Sequence, residues 1–113
     1  MSTFRIALAN LRFPASPDES VTLAEDAIAQ AGSQRADIIC FPECFVPGYR
    51  GMGKTVPPPD AQFLERAWCS VAAAAAKANV AVILGTERVV GGALLATALV
   101  IHRDGTKIGR AHV

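Results

Sequence analysis

The sequence predicts one layered α/β domain with the element order β-α-β-α-β-β. Two segments each carry a single apolar face at helical spacing. Short, wholly apolar runs stand between them. Glycine-rich turns then divide the last third of the chain into pairing strands. A length of 113 residues suits one small domain and not two.

Arg5 to Leu11 is short and apolar and reads as a buried first strand. Ser16-Pro17-Asp18-Glu19 then opens a helix. Ser16 suits the N-cap, Pro17 the first helical position, and Glu19 stands three residues after the cap, as in a capping box. Val21, Ala24, Ala27, Ile28 and Ala31 form one apolar face, and Gly32 begins the exit. Asp37 to Phe41 is the second strand. It is apolar after Asp37, which predicts cover on both faces, as in a central strand of an α/β sheet.

Pro42 stops that strand, so Glu43 stands at its carboxyl end, where α/β folds tend to place active sites. Val46 to Pro59 is a Gly- and Pro-rich loop. Asp60 suits the cap of a second helix running to about Ala78. Its buried stripe is Phe63, Leu64, Ala67, Trp68, Val71 and Ala75, and the alanines at 72–76 favour helix and close packing. Val80 to Leu84 is the third strand, followed by Gly85-Thr86-Glu87. Leu94 to His102 follows the turn at Gly91-Gly92 as the fourth strand. Arg103-Asp104-Gly105-Thr106 reads as a hairpin turn, and Lys107-Ile108 as a fifth strand that ends at once.

Apolar residues make up 51% of the chain, charged residues 19%, and the net charge is +1. That balance reads as globular and gives no electrostatic reason to expect nucleic acid or an anionic membrane as partner. No apolar run approaches the roughly 18 residues of a membrane span, and the first residues lack a signal-peptide core. A cytoplasmic location is expected. Cys40, Cys44 and Cys69 make an odd count, which favours reduced thiols. No second Cys or His pair completes a zinc set, His102 and His112 being isolated, so no metal is expected. Gly48, Gly51 and Gly53 precede no helix at the distance a phosphate-binding loop needs, and no cofactor is expected.

In the order they occur, these segments resemble the amino-terminal part of the nitrilase superfamily, the carbon–nitrogen hydrolases. Arg5 to Leu11 is similar to the family's first strand. Ala36 to Glu43 (ADIICFPE) resembles its signature strand ending in Phe-Pro-Glu, and Phe45 to Tyr49 (FVPGY) the loop that follows. Val82 to Glu87 (VILGTE) resembles the third strand, with its glycine and closing glutamate. Thr97 to Gly109 resembles the hairpin before the family's catalytic lysine. The resemblance reaches from the start of the chain to about Gly109. It implies part of an α-β-β-α sandwich, a small nitrile or amide as substrate, and homo-oligomers among full-length relatives.

The family's chemistry uses a Glu-Lys-Cys triad. A thiolate attacks the nitrile or amide carbon, and a thioester-type intermediate is released by water. The thiol must lose a proton and the leaving amine must gain one, so one carboxylate carries protons both ways. A lysine ammonium stabilises the developing oxyanion. By position Glu43 matches the proton carrier. Read from the residues alone, Glu43 could instead be a helix or loop cap. Tyr49 stands where it would line the substrate mouth or simply pack, and Glu87 where it would orient a site lysine or end a strand.

The resemblance supplies no nucleophile within this chain. Cys40 and Cys44 read as packing residues and Cys69 as a residue of the second helix's polar side or edge. Lys54 and Lys107 read as solvated charges and His102 as a sheet-edge side chain. The family lysine would fall near Val113, and Ala96 replaces the Asn common in the family before Thr-Ala. Ile108 to Val113, read as ATC GGA AGA GCA CAC GTC, spell a widely used sequencing adapter whose next triplet is a stop, so residues 108–113 are expected to be foreign. On this reading the chain is an inactive amino-terminal portion of a hydrolase. The competing expectation is a non-enzymatic α/β module that binds a partner through an open face.

Overall fold

A computed structural model describes residues 3–51 and 53–112. Val113, where the family lysine was expected, lies outside these residues, as does the side chain of His112. Among the described residues one five-stranded sheet has the order β1-β2-β3-β4-β5, and two helices complete the fold. The strands are β1 (Ile6–Leu8), β2 (Ile38–Cys40), β3 (Ala81–Val90), β4 (Ala93–Ile101) and β5 (Lys107–His112). β1, β2 and β3 pair in parallel, and β4 pairs antiparallel with both β3 and β5. Helix α1 (Pro17–Ser33) joins β1 to β2, and α2 (Ala61–Ala78) joins β2 to β3.

Both caps follow from the sequence. Ser16 Oγ accepts from the Glu19 amide at 3.1 Å. The Glu19 carboxylate reaches back to the Ala15 amide at 2.7 Å, one residue beyond the N-cap amide of the usual capping box. Asp60 Oδ1 accepts from the amides of Gln62 and Phe63. Gly32, expected to begin the helix exit, lies within α1 and has a packing reason. A Cβ there would sit 2.8 Å from Ala78 Cβ, so the glycine lets the two helices touch.

Core residues come from one face of the sheet. Ile39, Val82, Leu84, Leu99 and Ile101 pack with Ala24, Ile28 and Ala31 of α1 and with Leu64, Ala67, Trp68, Val71 and Ala75 of α2. The alternate residues face the other way. Ile6 and Leu8 are 61% and 77% exposed, while Ile38, Cys40, Ile83 and Val100 are half-buried. This corrects three expectations. The first strand is an exposed edge, β2 is covered on one face only, and Cys40 sits on the uncovered face rather than in the core. An apolar run establishes that a strand is apolar but not which of its faces is covered.

Two strands are longer than the sequence reading allowed. β3 continues through Gly85, Thr86 and Glu87 to Val90, because β4 pairs with it along its whole length after the Gly91-Gly92 turn. Both glycines have positive φ, which this tight hairpin requires. β5 runs on to His112 through pairing with β4, so the segment expected to be foreign forms an edge strand. At the turn between β4 and β5, the Thr106 amide donates to Asp104 Oδ1 at 2.8 Å. His102 stands in that turn, half-exposed and 3.2 Å from Asp104.

Candidate active site

The segment after β2 is bound to β3 by backbone contacts. The Phe41 amide donates to Ile83 O at 2.9 Å, and the Val46 amide to Gly85 O at 3.2 Å. Between them the chain turns, with the Phe45 amide donating to Pro42 O and Cys44 at φ 48. Phe41 and Phe45 pack together, ring centroids 5.6 Å apart, and anchor the turn in the core. Their spacing leaves Glu43 at the crest, exposed to solvent.

Below the turn, Thr86 joins three elements. Its hydroxyl donates to Val46 O at 2.7 Å and accepts from Trp68 Nε1 at 3.1 Å. Loop, β3 and α2 therefore meet at one fully buried side chain. Neighbouring β3 residues alternate faces, so Glu87 turns to the side away from the helices. There it is 1% exposed and accepts from Arg50 through both oxygens, at 2.7 and 2.9 Å. Such a fork is the strong geometry for a guanidinium and a carboxylate. The pairing holds the Arg50 guanidinium above its ordinary range.

Glu43, Cys44, Tyr49, Arg50, Glu87, Leu94 and Ala96 line a cleft of about 250 Å³. The structure thus gathers the three sequence-nominated residues, Glu43, Tyr49 and Glu87, in one place. Tyr49 is half-exposed at its mouth. Glu87 lies mid-strand and is salt-bridged, where it was expected to orient a lysine or end a strand. Arg50 was missed. The signal available was an arginine directly after the Pro-Gly-Tyr loop, with its partner 37 residues away.

The Cys44 thiol points back to the protein, donating to Thr86 O at 3.5 Å. Burial pushes its pKa up, the Glu87 and Glu43 carboxylates push it further, and Arg50 opposes them. A thiol so placed stays protonated at neutral pH and is a poor nucleophile. Cys69 is exposed on α2. Lys54, expected to be a solvated charge, lies 4.5 Å from the Phe13 ring centroid. Lys107 and Arg110 each stand 6.0 Å from the Trp68 ring. Among the described residues no group of three or more His, Cys, Asp or Glu gathers as a metal site, and no helix is long and apolar enough to cross a membrane.

Solved structures share this fold. An amidase from Nesterenkonia sp. superposes with a TM-score of 0.78 at 24% identity, over 98% of this chain and 43% of that one. A mutant of the Nesterenkonia sp. AN1 amidase in complex with butyramide gives the same four values. A carbon-nitrogen hydrolase from Helicobacter pylori G27 gives 0.79 at 16% identity, over 96% and 39%. The chain therefore spans less than half the length of these proteins. No curated protein sequence matches it. The sequence profile of the family described as carbon-nitrogen hydrolase matches residues 5–112. With nearly every residue inside that match, the chain belongs to the carbon-nitrogen hydrolase family.

Proposed function

We propose that this chain supplies the general-base half of a site that hydrolyses a small amide or nitrile. One observation carries the reading. Glu43 is held at the end of β2, solvent-accessible, in a cleft whose other carboxylate is already engaged by Arg50. Of the two acids there, only Glu43 is placed to take and return a proton. Tyr49 at the mouth would contact the substrate. A butyramide complex of a structurally similar amidase supports a small amide as the ligand class.

The covalent step needs a thiolate and a cation that the family resemblance places beyond the last hairpin. Cys44 does not substitute, since its burial and its carboxylate neighbours keep it protonated. The 113-residue chain is accordingly inactive alone. The test is ammonia release from butyramide and simple nitriles by the purified chain. No turnover is expected. Turnover that survives replacement of all three cysteines would contradict a thiol mechanism. A reading frame that continues past codon 107 with a lysine and then a cysteine would place the missing groups.

A second reading, a binding module without catalysis, is favoured by the uncovered apolar face of β1, β2 and β3. In the first reading that face receives the second sheet of an α-β-β-α sandwich. In the second, the chain alone is monodisperse and unfolds cooperatively. Aggregation of the isolated chain would eliminate the second reading.

A further inference from the structure

Arg50, within the loop, reaches both β3 and the far end of the loop. Its Nε and Nη2 donate to Glu87 in the middle of β3. Its Nη1 donates to Val56 O at 3.2 Å and Pro57 O at 2.7 Å, where the chain leaves the loop for α2. One guanidinium thus closes the loop from Val46 to Pro57 onto the sheet. At the other end the loop is tied by the Val46 amide to Gly85 O and by Val46 O to the Thr86 hydroxyl. Glu43, Cys44 and Tyr49 stand inside or beside this closed span and line the cleft with Arg50.

The pairing commits both residues to each other. Both oxygens of Glu87 accept from Arg50, so this buried carboxylate is held in place by the guanidinium it neutralises. To the described residues Arg50 makes four bonds with its five N–H groups, which leaves too few to fork onto a substrate carboxylate. We propose that Arg50 and Glu87 form a latch that pins the 46–57 loop to β3 and fixes the wall of the cleft beside Glu43. Both are positioning residues. The inference takes from the proposed function only that this cleft is where the chemistry occurs.

Amide hydrogen exchange on the 113-residue chain tests the latch. Arg50→Met and Glu87→Gln should each speed exchange at the Val46 and Gly48 amides about tenfold or more, while the α1 amides stay unchanged. The double variant should be no faster than the faster single one, because one device is being broken. Exchange within about twofold of the parent in Arg50→Met, or additive effects in the double variant, overturns the proposal. If Arg50→Met fails to fold, Arg50→Lys decides, since lysine keeps the charge without the fork. Fast loop exchange there supports the latch, and parental exchange overturns it.

A second readout separates positioning from simple packing. The pH midpoint of Cys44 alkylation, followed by peptide mapping, should fall in Glu87→Gln and rise in Arg50→Met. Shifts in the same direction would mean that loop loosening alone acts on the thiol, and would overturn the charge arrangement claimed for the cleft wall. Neither experiment uses turnover. The outcome of the hydrolysis assay therefore does not decide the latch, and a failed latch leaves the role proposed for Glu43 untouched.

Discussion

The carbonyl oxygen of Pro42 lies 1.8 Å from the point that a Cβ on Gly85 would occupy. Gly85 is therefore the floor on which the Phe-Pro-Glu turn rests, and its missing side chain sets the height of Glu43 above β3. Gly85→Ala must displace the turn or bend the strand. Overpacking of this kind costs about 1–3 kcal/mol, and backbone offers less relief than a side chain. Urea unfolding should show at least that loss in the midpoint, with the Glu43 and Val46 amide resonances shifting most. A Gly85→Ala chain as stable as the parent would show that the turn does not depend on this contact.

Thr86→Val should be more damaging than its small volume change suggests. The hydroxyl satisfies Val46 O and Trp68 Nε1, and Thr86 and Trp68 are 0% and 3% exposed. Valine keeps the shape and strands two buried polar groups, at about 2–3 kcal/mol together. Trp68→Phe is the control. It removes the donor and leaves the Thr86–Val46 bond in place, so about 1 kcal/mol is expected beyond the packing change. Equal and small effects in both variants would mean that water replaces these bonds.

What the sequence disclosed and what it withheld divide along physical lines. Helix caps are local, and Ser16 and Asp60 were legible because their partners lie two and three residues away. Glu43 was legible because Phe41-Pro42 ends a strand beside it. The length of β3 was not. The apolar run ends at Leu84, so Gly85, Thr86 and Glu87 read as following the strand, yet Gly85 is the residue that lets Pro42 approach, and the partners of Thr86 and Glu87 are far along the chain. A buried carboxylate looks like a surface charge until its arginine is known. The cover of β2 was misjudged for a related reason, since which of its faces meets a helix depends on where α1 and α2 pack.

At the start of α1, Arg12 and the Ala15 amide hold Glu19 well below the ordinary carboxylate value. The Arg12 hydrogen bonds act most and the Ala15 amide next, taking the carboxyl from 4.5 to about 2. A depressed folded-state pKa stabilises the folded chain fully above the unfolded value of 4.5, and that contribution is lost as pH falls through about 2. Both partners stand at the surface, so high salt should weaken the effect. A carboxyl NMR titration should place the Glu19 midpoint well below 4.5, and Arg12→Gln should move it upward. A Glu19 midpoint at the ordinary value in the parent chain would show that the Arg12 pair does not persist in solution.

The two glutamates of the cleft should separate cleanly by stability. Glu43 is exposed and makes no packing contribution that glutamine would lose, so Glu43→Gln should change stability by no more than about 0.5 kcal/mol. Glu87 is buried in its fork with Arg50, and Glu87→Ala removes the acceptor for two N–H groups. Arg50 is 27% exposed and can turn partly to water, which tempers the loss to about 1–3 kcal/mol. Thermal and urea unfolding of the two variants, side by side, make the comparison. The proposed division of labour requires the silent residue to be the one that carries protons and the costly one to be the one that positions. A Glu43→Gln chain as destabilised as Glu87→Ala would assign Glu43 a structural role and remove the main support for its use as a base.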